Sequence, residues 1–587
     1  FGDGFDVMFR PDNPRFVYAM SQGGNLGYVD TETGQTKFIR PVHPEGVRLR
    51  FNWNAALAQD PFNPCGIYYG SQFLHRSRDC GQSWEIISPD LTTNDSTKQQ
   101  QEKSGGLTID NTTAENFTTI IAIAPSPLDS QLIWVGTDDG NLQLTRDGGI
   151  TWTNLADRLP DARPGSWIPY IEAGTHNPGE AFIVVNDYRR NDWRPMVFHT
   201  TDFGATFRRI VDESQVSGHA LSIVQDLEEP RLLFLGTDHG LWVSIDAGAN
   251  WSKWTNGFPS APTADLKIHP REHDLIVATF GRAAWILDDI RPLREIARSS
   301  GQVLEQPFKV FPAPDAYLAE FRSYQGIRFA ADARFQGQNR FPDAMITVWV
   351  QPPAEKPGED KEALPEEAKE GEEAAAEEAA RPTPRKKPKV KVRVLNAGGD
   401  TIRTFSSEVD TGMTRIHWNL RTDGVEFPSR RKRRPDADPP AGYEVLPGTY
   451  KLLLSYGKHT DSTFVTVHLD PRLRLSLEDL QAKQAAYESF YDMVRTAKEG
   501  FDRLQEAGKT LKRVNEALAL APDSLKKDLG QLTKDLKKKI AELEKLYMMP
   551  PDTKGIQRSP DLLNTALFRA SSYLNSSDGA PNPTARL

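Results

Sequence analysis

Aromatic, amide and charged side chains recur between the apolar segments in the first half of this 587-residue sequence. Aromatic rings stack on ligands and hold cations, while amide and guanidinium groups hydrogen-bond hydroxyls and carbonyls. This mixture predicts a site for a carbohydrate or a peptide. The alternative is structural, with Trp53 and Trp167 packed inside the fold and the arginines bonded to backbone carbonyls. The candidate site residues are Asp3, Arg50, Asn52, Trp53, Asn54, Asn116, Trp167, Tyr188, Arg189, Arg190, His219, Asp238, His239 and Arg282.

The sequence contains no familiar catalytic motif. It has no Gly-x-Ser-x-Gly, no His-Glu-x-x-His and no paired Cys-x-x-Cys. Ala507-Gly508-Lys509-Thr510 resembles the end of a phosphate loop, but Arg503 stands where that loop needs glycine. A glycosidase needs two carboxyl groups roughly 5 to 9 Å apart, which a sequence cannot reveal when they lie on different elements. We therefore name no catalytic residue and predict no cofactor and no metal site.

Four copies of one short motif indicate the elements that position these candidates. The motif is Ser/Thr-x-Asp-x-Gly-x-x-aromatic, in which the hydroxyl and carboxylate can bond the backbone and the glycine can adopt positive φ. We interpret its aspartates as structural residues of hairpin turns. The copies are Ser77, Asp79, Gly81 and Trp84; Thr145, Asp147, Gly149 and Trp152; Thr200, Asp202, Gly204 and Phe207; and Ser244, Asp246, Gly248 and Trp251.

Short apolar strands separated by Gly, Pro and Asp turns occupy residues 1–293, which predicts a mainly β fold and a β-propeller. We count six blades. The first, around Asp30, and the last, around Asp288, lack the full turn motif. Residues 2–5 read as an inner strand and no outer strand follows Asp289, so we expect the closing strand or blade to come from elsewhere.

Residues 2–293 resemble the sortilin-like, Asp-box propeller proteins of bacteria, whose motif is also called the bacterial neuraminidase repeat. The resemblance rests on the four turns and on phrases such as Arg50-Phe51-Asn52-Trp53-Asn54 and Gly136-Thr137-Asp138-Asp139-Gly140. It implies seven blades in the complete ring. Members are often labelled glycosyl hydrolase, sortilin-like relatives bind peptides and proteins, and xyloglucanase-type hydrolases share the repeat.

From these features we predict a non-enzymatic binding or assembly scaffold outside the cytoplasm. Its propeller face would bind a protein, peptide or glycan, with the chain as a subunit of a larger complex. The alternative is a glycoside hydrolase acting in the central cleft of the propeller. A net charge of −9 argues against nucleic-acid binding, and we interpret the basic run 430–434 as a solvated loop.

The two cysteines, Cys65 and Cys80, flank one hairpin at nearly mirror-image positions. They are compatible with a cross-strand disulfide, which would favour a location outside the cytoplasm, or with two unpaired small residues. The sequence has no signal-peptide pattern and no transmembrane segment.

Different patterns follow the propeller. We predict a connector at 294–340, an immunoglobulin-like sandwich at 341–472 with a disordered charged insertion at 352–388, and a helical hairpin or bundle at 473–587 that is truncated. In the hairpin, Phe501, Leu504, Leu536 and Leu543 should face the seam. Tyr491 and Leu574 should mark its exposed side, where a partner would dock.

Overall fold

The computed structural model describes residues 2–100, 116–319, 340–352, 387–434, 437–555 and 559–586. The chain divides into two compact units, Phe1–Val303 and Leu304–Leu587. The predicted charged insertion at 352–388 lies almost wholly outside the described residues.

The first unit consists of six antiparallel sheets in chain order, each with neighbouring strands adjacent in sequence. Blade 1 contains β1 (Gly4–Arg10), β2 (Asn13–Ser21), β3 (Asn25–Asp30) and β4 (Thr36–Phe38); blade 2 contains β5 (Leu57–Gln59), β6 (Ile67–Gly70), β7 (Leu74–Ser77) and β8 (Glu85–Ile86). Blade 3 contains β9 (Ile120–Pro125), β10 (Ile133–Thr137), β11 (Leu142–Thr145) and β12 (Thr153–Asn154). Blade 4 contains β13 (Trp167–Ala173), β14 (Ala181–Asp187), β15 (Asp192–Thr200) and β16 (Arg208–Arg209). Blade 5 contains β17 (Ala220–Gln225), β18 (Leu233–Thr237), β19 (Gly240–Ser244) and β20 (Ser252–Lys253), and blade 6 contains β21 (Thr263–Ile268), β22 (Leu275–Thr279) and β23 (Ala284–Leu287).

The predicted β-propeller is confirmed, because apolar clusters join each of the first four blades to the next. Most second strands are buried on both faces, as the wholly buried β10, β14 and β18 show. The sixth sheet has three strands within the described residues, as expected from the sequence. A seventh blade stays a prediction. Representative pairs from the four clusters are Tyr18 with Tyr69, Tyr68 with Ile133, Trp134 with Ile183, and Phe182 with Leu235.

The four copies of the Ser/Thr-x-Asp-x-Gly-x-x-aromatic motif, which we call the Asp-box turns, share one hydrogen-bond pattern. In blade 3, Asp147 Oδ1 accepts from the Thr145 hydroxyl at 2.8 Å and from the Thr151 amide at 2.9 Å. The Gly149 amide donates to Thr145 Oγ1 at 3.0 Å. The same bonds recur in blades 2, 4 and 5. Each aspartate therefore has its turn's donors as partners.

Each Asp-box glycine also makes room for the preceding blade. A Cβ on Gly149 would lie 2.5 Å from the carbonyl oxygen of Ile87, the residue that follows the outer strand of blade 2. That same carbonyl accepts from the Trp152 indole at 3.2 Å. Isoleucine or leucine occupies the corresponding place against the other three glycines, as the pairs Ile39 with Gly81, Leu155 with Gly204 and Ile210 with Gly248 show. The motif thus joins successive blades as well as closing a hairpin.

Two further contacts stabilise the first unit. Cys65 and Cys80 form a disulfide across the hairpin of blade 2, with their Cα atoms 4.4 Å apart. Helix α1 (Arg291–Arg298) follows blade 6, and its Arg294 Nε donates to Asp226 Oδ1 of blade 5 at 2.8 Å. Both side chains are almost completely buried, at 2% and 0% exposure. The ion pair therefore fixes α1 against the blade 5 hairpin.

The second unit begins with a two-sheet sandwich. One sheet has the order β24 (Phe308–Val310), β26 (Ala344–Val350), β29 (Gly412–Trp418). The other has the order β25 (Ala316–Leu318), β33 (His459–Leu469), β32 (Gly448–Tyr456), β27 (Lys389–Leu395), β28 (Thr401–Glu408), and a small hairpin pairs β30 (Arg421–Asp423) with β31 (Ala441–Glu444). Alternate residues of these strands, such as Val392 and Leu452, form the core.

The connector predicted at 294–340 is not a simple linker. Its first residues belong to α1, while β24 and β25 are edge strands of the two sandwich sheets. The strands at 308–310 and 316–318 were not predicted, because a three-residue strand shows too little alternation of apolar and polar residues. The sandwich therefore begins well before residue 341.

The helical tail contains α2 (Leu477–Leu518), α3 (Asp523–Tyr547) and α4 (Leu563–Asn575). Ser476 caps α2 by accepting from the Asp479 amide. The expectation for Tyr491 and Leu574 was wrong: both are buried, because α4 packs over the first half of α2.

The seam of the hairpin also differs from the prediction. Phe501 is fully buried and its ring lies 5.2 Å from that of Tyr547. Leu504 is half-buried, but Leu536 and Leu543 are 40% and 47% exposed, so their assignment to the seam was wrong. No helix of the described residues has the length and apolar character needed to span a membrane.

Candidate functional site

All the candidate residues lie at corresponding edges of the blades. Asp3, Arg50 to Asn54, Asn116, Trp167 and His219 precede or begin inner strands. Tyr188 to Arg190, Asp238, His239 and Arg282 lie between the second and third strands of their blades. In an antiparallel sheet these positions share one edge, whereas the Asp-box turns lie at the opposite edge. We call the edge that carries the candidates the upper rim.

The structure brings the candidates of blades 4 and 5 together. The Arg189 guanidinium lies 3.3 Å from the centre of the Trp167 ring and 4.4 Å from that of Tyr188. Tyr188 in turn lies 4.6 Å from the His219 ring and 5.7 Å from Trp193. These five residues form a continuous surface, which we call the aromatic cluster.

Local backbone geometry presents this cluster. A single 3₁₀ turn, Tyr188–Arg190, follows β14 and ends at Asn191, whose φ of +61° is tolerated best by Asn, Asp and Gly. The buried Asp187 anchors the turn by accepting from Arg190 Nε at 2.6 Å. Arg190 also donates to the carbonyl of Pro164. Arg190 therefore supports the turn, whereas Tyr188 and Arg189 project from it.

Unsatisfied polar atoms lie beside the aromatic cluster. His219 Nδ1 is 3.4 Å from Asp238 Oδ2, an ion-pair distance without hydrogen-bond geometry. Asp238 Oδ1 is buried and also has no hydrogen-bond partner in the described part of the chain. Burial lowers the pKa of His219, opposed by Asp238 and reinforced by Arg189, which favours the neutral imidazole. Protein encloses both unsatisfied atoms, whereas the Asp238 side chain as a whole is 21% exposed.

The other candidates lie apart from this cluster. His239 is exposed next to Asp238, and its Nε2 lies 3.9 Å from Asp238 Oδ2. Trp53 is 37% exposed and meets Phe5 edge-on at 6.4 Å. Asp3 and Asn54 are exposed, and the Arg282 guanidinium donates to the Gly281 carbonyl.

Three of the candidates have structural partners that join blades 2 and 3. Arg50 pairs with Asp90 at 2.8 Å and donates to the Thr118 carbonyl. Asn52 donates to Thr119 Oγ1 at 2.9 Å and to Asp138 Oδ2 at 3.0 Å. Asn116 donates to the Phe51 carbonyl. The bond from Arg50 to the Thr118 carbonyl matches the structural alternative considered for the arginines.

Sequence reasoning missed two features. Trp193, which is 53% exposed, lies just past Asn191 at the start of β15, and its position after a turn residue was the available signal. The second is a charged group on inner strands β1, β13 and β21: Lys267 Nζ lies 3.2 Å from Tyr170 Oη and 3.9 Å from Asp265 Oδ1. Charges at alternate positions of inner strands could have indicated it.

Two carboxyl groups near Lys267 have raised pKa values. Burial, followed by the charge of Asp265, raises the pKa of Asp6 to about 6, against the opposing effect of Lys267. Burial is also the main cause that raises the pKa of Glu172 to about 7. Water reaches Asp6, although protein atoms surround it on most sides. Such a position is expected in the space that the inner strands of a propeller surround, which we call the channel. No group of three or more His, Cys, Asp or Glu in the described ranges is arranged to hold a metal ion.

Comparison with known proteins yields partial likenesses. No protein-family model matches the chain. A xyloglucanase from Paenibacillus sp is 26% identical over 187 residues, which are 30% of this chain and 17% of that enzyme. The match therefore spans less than a fifth of that relative.

Solved structures resemble the chain at low identity. They include the GH74 xyloglucanase from Xanthomonas campestris (16% identity, TM-score 0.34, 49% of this chain and 52% of that chain) and the GH74 enzyme of Niastella koreensis (13%, 0.34, 80% and 67%). YCF48 from Cyanidioschyzon merolae is 13% identical with a TM-score of 0.32, over 49% of this chain and 83% of that chain. At these values we draw no conclusion about activity from them.

Proposed function

We propose that the protein binds a glycan at the aromatic cluster of its upper rim. The observation that carries the proposal is the exposed Trp193 indole beside His219 and Asp238, whose side chain is 21% exposed. Aromatic faces stack on the C–H faces of sugars, and a few polar groups at the edge of such a site bond the hydroxyls of a ligand.

Each member of the site has a distinct role in this proposal. Trp193 and Tyr188 provide the stacking surface. Neutral His219 and the carboxylate of Asp238 hydrogen-bond neighbouring sugar hydroxyls. Arg189, held against Trp167, keeps the surface in place through cation–π contact and can donate to a ring or glycosidic oxygen.

A glycan fits these groups better than a peptide does. Peptides commonly dock on an open sheet edge or in an apolar groove, and the aromatic cluster as described contains neither of these features. The described cluster instead combines rings with single hydrogen-bonding groups, which suits a polyhydroxylated ligand. The protein or peptide partner of the scaffold prediction thus stays a prediction.

Glycoside hydrolysis is the second candidate function, and the observation in its favour is the 187-residue match with a xyloglucanase. Hydrolysis needs a protonated carboxyl group and an ionised one. Glu172, whose pKa burial raises to about 7, and nearby Asp265 are two carboxyl groups in the channel, and the raised pKa makes Glu172 the candidate for the protonated group. A location outside the cytoplasm is part of the proposal, and the Cys65–Cys80 disulfide supports it.

A binding experiment tests the proposal. Xyloglucan, cellulose and chitin oligosaccharides would be titrated into the full chain by calorimetry, with Trp193→Ala as the test variant. Phe62→Ala, which truncates a ring of equal exposure (52%) away from the cluster, is the matched control. We expect at least one oligosaccharide to bind, Trp193→Ala to weaken it at least tenfold, and Phe62→Ala to leave it unchanged.

The same samples separate the two candidates. Release of reducing ends by the wild-type chain, abolished in Glu172→Gln, would support hydrolysis. Binding without new reducing ends would support a glycan-binding protein. If no oligosaccharide bound, or if Phe62→Ala and Trp193→Ala behaved alike, the proposed site would be wrong.

A further inference from the structure

A second candidate site lies in the second unit, between the loop at 429–434 and one face of α2. The loop and the helix enclose an open groove of about 650 Å³, which we call the basic groove. Its principal basic residues are Arg431, Lys432, Arg434, Lys498, Arg503 and Lys509. The sequence of the loop alone indicates a solvated segment, and it does not show that α2 adds further cations beside it.

Positive charge accumulates in this groove beyond what its acidic residues balance. Among the described residues, seven basic and three acidic side chains line it, in a chain whose net charge is −9. The acidic groups already have partners: Glu426 lies 3.7 Å from Lys498, and Glu506 lies 3.7 Å from Lys509. Within the described lining, Arg431, Arg434 and Arg503 have no acidic group at ion-pair distance.

Two of these cations come from different elements. Lys432, on the loop, and Lys509, on α2, both line the groove, and the closeness and charge of Lys509 lower the pKa of Lys432. Like charges on two different elements repel, and an anion between them reduces that repulsion. An anionic group in the groove would therefore be stabilised both by the loop and by α2.

The rest of the lining indicates which anion fits. The described lining residues include no aromatic ring, so nucleotide bases would find no stacking surface. Ala437 is the one apolar side chain among them, so a peptide would find no anchoring pocket. The hydroxyl of Ser429 and the amide oxygen of Gln505 are also present and can bond sugar hydroxyls, while the Gln505 amide nitrogen donates to Glu544. A concave groove also fits a polymer chain better than it fits a flat membrane surface.

We propose that the basic groove binds an acidic polysaccharide through its sulfate or carboxylate groups. This inference goes beyond the proposed function, since it concerns a different unit, a different set of side chains and a ligand of opposite charge to the groove. It assigns a role to the Arg430–Arg434 run, which the upper rim does not use. Binding at the groove and binding at the aromatic cluster are independent.

The test uses the full chain and dextran sulfate, with neutral dextran of equal length as the uncharged probe. Lys432→Ala combined with Lys509→Ala is the groove variant. Lys534→Ala combined with Lys538→Ala, on exposed positions of α3, removes the same charge elsewhere. We expect dextran sulfate to bind, the groove variant to bind at least tenfold more weakly, and the α3 variant to stay within twofold of wild type.

Salt and a competing polyanion complete the test. Affinity for dextran sulfate should fall steeply between 50 and 300 mM salt, as expected for neutralised charges (on the order of one released ion per contact). Equal weakening in both lysine variants, equal binding of neutral dextran, or tighter binding of duplex DNA than of dextran sulfate would each overturn the proposal. Matching melting temperatures of the two variants would show that both are folded.

Discussion

Replacing Arg294 by leucine should destabilise the first unit strongly. The guanidinium Nε lies 2.8 and 2.9 Å from the two oxygens of Asp226, and the two side chains are 2% and 0% exposed. Without it, Asp226 would keep only the backbone amides of Glu228 and Glu229 as donors. Removing one partner of a buried ion pair costs about 3–5 kcal/mol, because the other charge stays buried. We expect a loss in this range.

A neighbour on the same helix provides the control. Arg298 is 54% exposed and lies 3.3 Å from Glu229, so Arg298→Leu should cost at most about 1 kcal/mol. The double variant Arg294→Leu with Asp226→Leu removes both charges. Its loss should be about 1–3 kcal/mol smaller than the sum of the two single losses.

Urea unfolding followed by tryptophan fluorescence measures these effects. Ten of the twelve tryptophans lie in the first unit, so the signal reports mainly on the propeller. The shift in the transition midpoint gives the change in the free energy of unfolding where the slope is unchanged. If Arg294→Leu moved the midpoint no further than Arg298→Leu, the buried pair would not be what fixes α1, and the reasoning would fail.

Three further predictions concern the first unit. Gly149→Ala should cost about 1–3 kcal/mol more than Gly148→Ala in the same urea assay, because only the former Cβ meets a backbone atom at 2.5 Å. Because burial raises the Glu172 pKa from 4.5 to about 7, its contribution is present below pH 4.5 and lost as pH rises through 7. Wild type should therefore lose stability across this range relative to Glu172→Gln, as melting curves would show; parallel curves would contradict this. Reducing the disulfide, which spans 15 residues, should cost about 3 kcal/mol, and Cys65→Ala with Cys80→Ala should abolish the response to reductant.

The sequence predicted the propeller because its signal is local and repeated. Each Asp-box turn is specified within eight residues, and Thr145, Asp147 and Gly149 bond one another as their types suggest. The contact between Ile87 and Gly149 could not be predicted in this way. It joins residues about sixty positions apart and depends on how two blades stack.

The candidate site was predicted in part for the same reason. The upper-rim positions follow from strand order, so the sequence alone predicts that Trp167, Tyr188 and His219 lie at one edge of the propeller. It could not distinguish Asn52, which bonds Asp138 in the interior, from a ligand-binding amide. In the tail, the exposure predicted for Tyr491 was wrong because helical periodicity does not show where α4 lies.

The contact between successive blades has a consequence for how the chain is made. The indoles of Trp84, Trp152 and Trp251 each donate to the carbonyl that ends the preceding blade's outer strand. The indole bond of each of these turns can therefore form only when the preceding blade is already in place. The ribosome releases the blades in that same order, so each new blade emerges beside a finished template. Synthesis from the N-terminus should thus assemble the ring stepwise, with little opportunity for strands of distant blades to mispair.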